Sequence, residues 1–315
     1  QFSSSEDWRT DAAEWDRCGP SMKPWFAAAV LAVLMGFTLT CYTFRIPDDL
    51  RRSGPSGRWG PPNAEFNWCE PDYMLVDWMA EPVNTISNLA LILLPAAFLA
   101  AHSPAGDNWL MAVLIMVIGL GSVLFHGSLR YSMQLLDELP MLWYSFVGAV
   151  SLLKRVRGVD LAWPAAVFVA AVTLAIALTE QHSTMHEAWR GLMSCSFSVC
   201  IIVIAWGSTA IVARLKEELT GKRRHVPVSA ERLHTAGFIM FVLAVMCWLL
   251  DNYYCPALWK LPWGLPYPHL HMWWHLLTAA ALYSVLIVFH LDDMRAKSSL
   301  RVRYRLCLLP QVSLA

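Results

Sequence analysis

The chain has 315 residues, of which 57% are hydrophobic and only 15% charged, and its formal net charge at neutral pH is zero. A soluble protein of this length needs a larger polar surface, so the composition indicates a membrane protein. The lack of net positive charge argues against a nucleic-acid partner. Eight cysteines without a CxxC pair argue against a zinc ribbon or a small disulfide scaffold.

Eight apolar segments are long enough to predict transmembrane helices. They lie at about 24–44, 83–102, 108–126, 135–153, 161–179, 191–213, 235–250 and 272–290. We therefore predict an all-α membrane protein with a seven-transmembrane-helix core at 67–295. An N-terminal extension, 1–66, carries the additional helix and a linker rich in Pro, Gly and Arg, and a basic tail, 296–315, follows the core.

The distribution of basic residues predicts the orientation of these helices. If the N-terminus faces the cytosol, 17 of the 24 Lys and Arg residues fall on the cytosolic side, as the positive-inside rule requires. Four of the other seven lie in the linker before the core, which makes the linker the weakest part of the assignment. The C-terminal tail is then cytosolic.

Under this orientation, six polar side chains that are far apart in sequence fall near the non-cytosolic ends of their helices. They are Glu81, His126, Asp137, Asp251, His271 and His275. Ionisable groups at membrane depth are costly to bury and usually mark function. We therefore predict one composite site on that side of the membrane.

Histidines in this set predict a metal centre. His271 and His275 are four residues apart, so they share one face of a helix, and His126 comes from another helix. Three histidines with an open fourth position suit a catalytic zinc, which acidifies bound water. Asp137 is placed to exchange a proton with that water, and Ser122, one turn before His126, to donate a hydrogen bond to an oxyanion.

Simpler interpretations exist for the same residues. A histidine at the membrane edge is often only hydrogen-bonded, and a second HxxxH pair, His182 and His186, weakens the motif. Ser122 follows Gly119-Leu120-Gly121, a run of small residues that also favours plain helix packing. Asp137 could lie in interfacial water, and the many tryptophans are typical of interfacial belts.

The chain resembles the alkaline ceramidases, seven-span hydrolases related to the adiponectin and progestin receptors, over about residues 66–295. Four sequence blocks carry the resemblance, and Asp251-Asn252 with Cys255 also fits. The blocks are Asn67-Trp68-Cys69-Glu70-Pro71-Asp72-Tyr73 through Ala80-Glu81; Asn84-Thr85-Ile86-Ser87-Asn88-Leu89; Gly121-Ser122 through His126 and Tyr131 to Met133-Gln134-Leu135-Leu136-Asp137-Glu138-Leu139-Pro140-Met141; and His271 to His275.

The resemblance implies the same roles that the residues predict. His126, His271 and His275 are expected to hold zinc, Asp137 to hydrogen-bond the zinc water, and Ser122 to assist the oxyanion. It also implies a disulfide between Cys69 and Cys255, which the predicted topology places on the oxidising side.

A calcium site in the acidic segment before the first core helix is implied by the resemblance alone. The matching positions are Asn67, Trp68 through its backbone carbonyl, Glu70, Asp72 and Glu81. Oxygen ligands suit calcium. Asn67 stands where the family has Asp, and Asp72 where Asn is common, so the total ligand charge is preserved.

Two regions depart from the family pattern. Residues 1–65, with the 24–44 segment, have no counterpart in its usual seven-span plan. Pro82 replaces an aromatic or aliphatic residue at the start of the first core helix, where its ring restricts the backbone.

Together these features predict a zinc-dependent amidase that hydrolyses ceramide to a sphingoid base and a free fatty acid, by zinc-bound water attack within the membrane. Its expected location is the endoplasmic reticulum or Golgi membrane, with the site towards the lumen, the bilayer and its ceramide as partners, and no obligate protein partner. The alternatives are a receptor of the adiponectin or progestin type, another lipid hydrolase such as a phospholipase, and a proton-coupled transporter.

Overall fold

A computed structural model describes residues 57–221, 228–294, 300–305 and 309–314 of the chain. The additional helix predicted at about 24–44 lies outside the described residues. Helices dominate the described part, as the all-α prediction expects. They are α1 Pro82–Ser87, α2 Leu89–His102, α3 Gly106–Ser128, α4 Tyr131–Arg157, α5 Ala162–Leu178, α6 Thr184–Gly221, α7 Val228–Leu258 and α8 Leu270–Met294.

Five helical segments are long and apolar enough to cross a membrane. They are Pro82–His102, Gly106–Ser128, Thr184–Glu217, Ala230–Leu258 and Leu270–Met294. The first of these comprises both α1 and α2. Helix α5 is apolar but has only 17 residues, and α4 carries carboxylates near its start and three basic residues in its last turn. All seven predicted core segments are helical, but the seven-span count stays a prediction.

Helix α8 is the centre of the bundle. It packs on α1, α2, α3, α6 and α7, and most of its side chains are buried. The outer faces of the surrounding helices expose large apolar side chains such as Leu93, Leu178 and Ile202. Such a surface is stable only against an apolar solvent, so the bundle fits a membrane protein.

The two ends of α8 differ in their polar contacts. Its first two turns carry His271 and His275, whereas Asp292 near its last turn accepts bonds from Arg155 of α4, at 3.2 Å, and from Arg214 of α6, at 2.8 Å. This ion-pair cluster fastens three helices at the end opposite the histidines. Asp292 is buried and the two arginines are partly exposed, so the cluster holds opposite charges together at this end of the bundle.

A short antiparallel hairpin of β1 Leu300–Arg305 and β2 Leu309–Leu314 follows the bundle and lies against α2 and α8. The sequence prediction gave this region only as a basic tail. The alternation Leu-Arg-Val-Arg-Tyr-Arg at 300–305 has the period of two that is typical of a strand.

Candidate active site

Three histidines converge at one end of the bundle. His126 lies in the last turn of α3, and His271 and His275 lie in the first two turns of α8. One ring nitrogen from each lies within 4.8 Å of the others, and all three side chains are buried. The structure thus brings together the three residues predicted to hold zinc.

Hydrogen bonds fix the tautomers of two of these rings. The Nδ1 of His126 lies 2.5 Å from a carboxylate oxygen of Glu81. The Nδ1 of His275 lies 2.7 Å from the Ser87 hydroxyl, which itself donates to the carbonyl of Asn84. Both Nδ1 atoms therefore act as donors, which leaves the lone pair of each Nε2 free for a metal.

The ring nitrogens that have no hydrogen-bond partner are suited to binding a metal ion. His126 Nε2 and His271 Nδ1 are buried with no hydrogen-bond partner among the described residues. Unpartnered buried polar atoms are rare because they cost free energy. A zinc ion bound between the three neutral imidazoles would provide a partner for these ring nitrogens.

Ser122 and Asp137 meet beside the histidines. The Ser122 hydroxyl hydrogen-bonds the Asp137 carboxylate, and Ser122 is buried one helical turn before His126. Their contact depends on Gly121, since a Cβ there would lie 2.1 Å from the carbonyl oxygen of Leu136 on α4. The sequence allowed two interpretations of this region, helix packing through small residues and a hydrogen-bonding role for Ser122, and the structure contains both features.

The acidic segment before α1 is anchored by backbone amides. The two carboxylate oxygens of Glu70 accept from the backbone of Val83, at 2.7 Å, and of Asn84, at 2.8 Å, and so satisfy donors at the start of α1. Asn67 donates to Asp72 at 3.0 Å. Glu81 also accepts from the backbone amide of Trp68 at 3.1 Å.

The electrostatics of this segment favour a cation. Burial raises the pKa of Glu70 and of Glu81 well above the usual carboxyl value, and repulsion between the two carboxylates adds to the rise for Glu70. Asp72 repels Glu81 as well, and burial raises the pKa of Asp72. A bound cation would relieve both effects.

The carboxylates of the segment do not converge as the histidines do. Among the described residues, the side chains whose ligand atoms lie close enough together to share a metal ion are those of His126, His271 and His275. The predicted calcium ligands are thus neighbours with suitable charge. Both carboxylate oxygens of Glu70 and of Glu81 already accept hydrogen bonds within the protein.

A disulfide joins Cys69 of this segment to Cys255 of α7, with a Cα–Cα distance of 5.4 Å. The indole of Trp68 stacks on the ring of His271 with centroids 3.6 Å apart. The acidic segment is therefore fastened to α7 by the disulfide and contacts α8 at His271.

The second HxxxH pair does not form a metal site. His182 has φ of 66° and precedes the start of α6 at Thr184, so it does not share a helical face with His186. His186 is buried and bonds to Tyr131, at 2.7 Å, and to Thr179, at 3.0 Å. Here the simpler interpretation of the motif is correct.

Several contacts of the site were not predicted from the sequence. Glu81 was expected at calcium, yet its carboxylate orients His126. Ser87, which bonds His275, lies in a recognised block but was given no role. Glu138, next to Asp137, pairs with Arg190 of α6. Each contact joins residues at least 45 positions apart, so sequence spacing carries no signal for it.

Comparisons with known proteins agree with this architecture. The family model described as Ceramidase matches residues 60–312. The chain is 30% identical to the alkaline ceramidase of Drosophila melanogaster over 239 residues, which cover 73% of this chain and 77% of the relative. It is 28% identical to alkaline ceramidase 3 of Mus musculus over 261 residues, covering 79% and 89%. The alkaline ceramidase YPC1 of Saccharomyces cerevisiae is 28% identical over 263 residues, covering 75% and 78%. The chain therefore belongs to the alkaline ceramidase family of hydrolases.

Proposed function

We propose that this protein hydrolyses the amide bond of ceramide at a zinc centre held by His126, His271 and His275, giving a sphingoid base and a free fatty acid. The observation that carries the proposal is the convergence of three buried imidazoles beside the Ser122–Asp137 pair, with ring nitrogens of His126 and His271 that have no hydrogen-bond partner among the described residues. The names of the related proteins support ceramide as the substrate.

Zinc, when bound by the three imidazoles, supplies a Lewis acid that polarises the carbonyl and lowers the pKa of a water molecule. The net reaction forms a bond between the water oxygen and the carbonyl carbon and breaks the bond between that carbon and the amide nitrogen. One proton must leave the water and one must reach the departing nitrogen. A single base beside the histidines can carry both transfers.

Asp137 fills that role because it is the carboxylate in contact with Ser122 and lies on the helix that packs against α3. It takes the proton of the water and delivers it to the amine. As Asp137 becomes protonated it no longer needs the Ser122 hydrogen bond. The hydroxyl then turns to donate to the oxyanion as charge develops there.

The acidic segment is proposed to bind calcium through Asn67, the Trp68 carbonyl, Glu70, Asp72 and Glu81. Mutual repulsion of its buried carboxylates supports a cation there. Glu81 contacts both this segment and His126. Calcium would therefore stabilise the orientation of one zinc ligand.

The membrane arrangement is also a proposal beyond the five apolar helices. We infer a seven-span core with the site towards the lumen of the endoplasmic reticulum or Golgi, a cytosolic C-terminus and no obligate protein partner. The helix at about 24–44 would precede this core. The distribution of Lys and Arg supports the orientation.

Turnover of ceramide by the detergent-purified full chain, with bound zinc counted in parallel, tests the function. His275→Ala is expected to lose zinc and turnover together, whereas His182→Ala, an exposed histidine outside the site, retains both. Bound zinc without turnover of any ceramide would favour a receptor or another lipid hydrolase. Turnover that persists without zinc would overturn the mechanism.

A further inference from the structure

Asp251 is a buried carboxylate that no step of the proposed reaction uses. It lies on α7 with a relative exposure of 1%, and it accepts hydrogen bonds from three separate parts of the chain. One oxygen accepts the backbone amide of Cys69 at 3.1 Å. The other accepts the Tyr267 hydroxyl and the backbone amide of His271, the latter at 3.3 Å, and the Leu270 amide also donates to the carboxylate.

The bonds to Leu270 and His271 cap α8 from a different helix. The first amides of a helix have no partner within it, and the turn before α8 is sharp, since His269 has φ of 47°. A carboxylate at this position satisfies those amides and is also favoured by the helix dipole. Asp251 thereby fixes the first turn of α8, which carries His271.

The bond from Asp251 to Cys69 holds the segment that packs against the His271 ring. Trp68, the neighbour of Cys69, stacks on the His271 ring, and the indole of Trp259 donates to the Cys69 carbonyl at 3.1 Å. The His271 ring thus lies between a helix turn and an indole that are both placed by Asp251. The rings of His126 and His275 also contact this ring, with centroids 5.0 Å and 4.6 Å away, but its Nδ1 has no hydrogen-bond partner among the described residues.

We propose that Asp251 is a positioning residue for the metal centre, which holds His271 in the geometry for binding by fastening the start of α8 to the Trp68–Cys69 segment. This inference rests on the proposed function, because it requires that the three histidines bind zinc. Outer residues that orient metal ligands commonly change metal affinity by about 10–100-fold when replaced. Asp251→Asn keeps the size of the side chain but removes the charge and one acceptor oxygen.

Asp292→Asn is the matched control. Asp292 is also buried, at 5% exposure, and its carboxylate is also multiply bonded, to Arg155 and Arg214. It lies at the far end of the same helix. A purely structural effect of losing a buried carboxylate should appear in both variants.

Zinc per chain is measured on the purified full chain over a series of chelator concentrations, with unfolding temperature in parallel. We expect Asp251→Asn to release zinc at a chelator concentration at least about tenfold lower than wild type, while Asp292→Asn releases it like wild type. In cobalt-substituted protein, the visible absorption bands should shift in Asp251→Asn alone. Equal zinc retention in the two variants, or unchanged cobalt bands, would overturn the inference.

Two further results keep the test decisive. If Asp251→Asn does not fold, Tyr267→Phe removes one bond to the same carboxylate and should still release zinc more readily than Asp292→Asn. Retention equal to that of Asp292→Asn would then overturn the positioning role. A wild-type protein that binds no zinc would instead overturn the proposed metal centre, and the inference with it.

Discussion

The contact between α3 and α4 at Gly121 offers the sharpest test of the site. A Cβ at this position would lie 2.1 Å from the carbonyl oxygen and 2.5 Å from the carbonyl carbon of Leu136, and 2.8 Å from the amide nitrogen of Asp137. All three are backbone atoms, so they cannot swing aside as a flexible side chain could. Ordinary contact begins near 3.4 Å, and the two helices must therefore separate by about 1.3 Å in Gly121→Ala.

That separation acts directly on the Ser122–Asp137 pair. Ser122 follows Gly121 on α3 and Asp137 follows Leu136 on α4, so the hydrogen bond between them lengthens beyond its useful range. A displacement of about 1 Å in a positioned catalytic group can cost on the order of 100-fold in rate. Overpacking of this kind typically lowers the free energy of unfolding by about 1–3 kcal/mol.

Gly191→Ala is the control, because a Cβ at Gly191 in α6 meets no heavy atom within 4 Å. This variant should keep wild-type turnover and gain about 0.5–1 kcal/mol in stability from the loss of a helical glycine. Steady-state hydrolysis of ceramide in detergent gives kcat/KM, and thermal unfolding gives stability. Wild-type kcat/KM in folded Gly121→Ala would refute the role assigned to the Ser122–Asp137 contact.

Three other variants test separate parts of the site. Glu81→Gln weakens the bond that orients His126, so zinc affinity measured by chelator competition should fall about 10–100-fold; unchanged affinity would show that this bond is dispensable. Cys255→Ser should lower the free energy of unfolding by about 2–5 kcal/mol, and reductant should destabilise the wild type but not the variant. Arg190→Met removes the ion-pair partner of Glu65 and Glu138 and should lower the free energy of unfolding by about 3–5 kcal/mol. Lys154→Met, which breaks the exposed pair with Asp160, should leave the unfolding temperature near that of wild type.

The helices were predictable because long apolar segments can satisfy their backbone in a membrane only as helices. Their ends were less predictable. Residues 191–213 were expected to span the membrane, but α6 runs from Thr184 to Gly221, since polar flanking residues continue the helix beyond the apolar segment. The sequence pattern reports the hydrophobic thickness and not the length of the helix.

The cluster of three histidines was predictable for a similar reason. Two histidines four apart on a helix must share a face, and the depth of His126 followed from its position at the end of an apolar segment. The partners that orient these rings were not predictable as partners. Glu81 and Ser87 reach their histidines only because α1 and the preceding segment pack on α3 and α8, and that packing is a property of the whole fold.

The arrangement of these partners explains why the acidic segment and the three histidines form one unit. The backbone amide of Glu81 donates to the carbonyl of His126 at 2.9 Å, and the amide of Ala80 donates to Gly127 at 2.9 Å. His126 is thus held through its backbone and its ring by the same residue. Any movement of the segment, such as one caused by loss of the Cys69–Cys255 disulfide, must therefore move His126, and the geometry of the three-histidine cluster depends on the segment remaining docked.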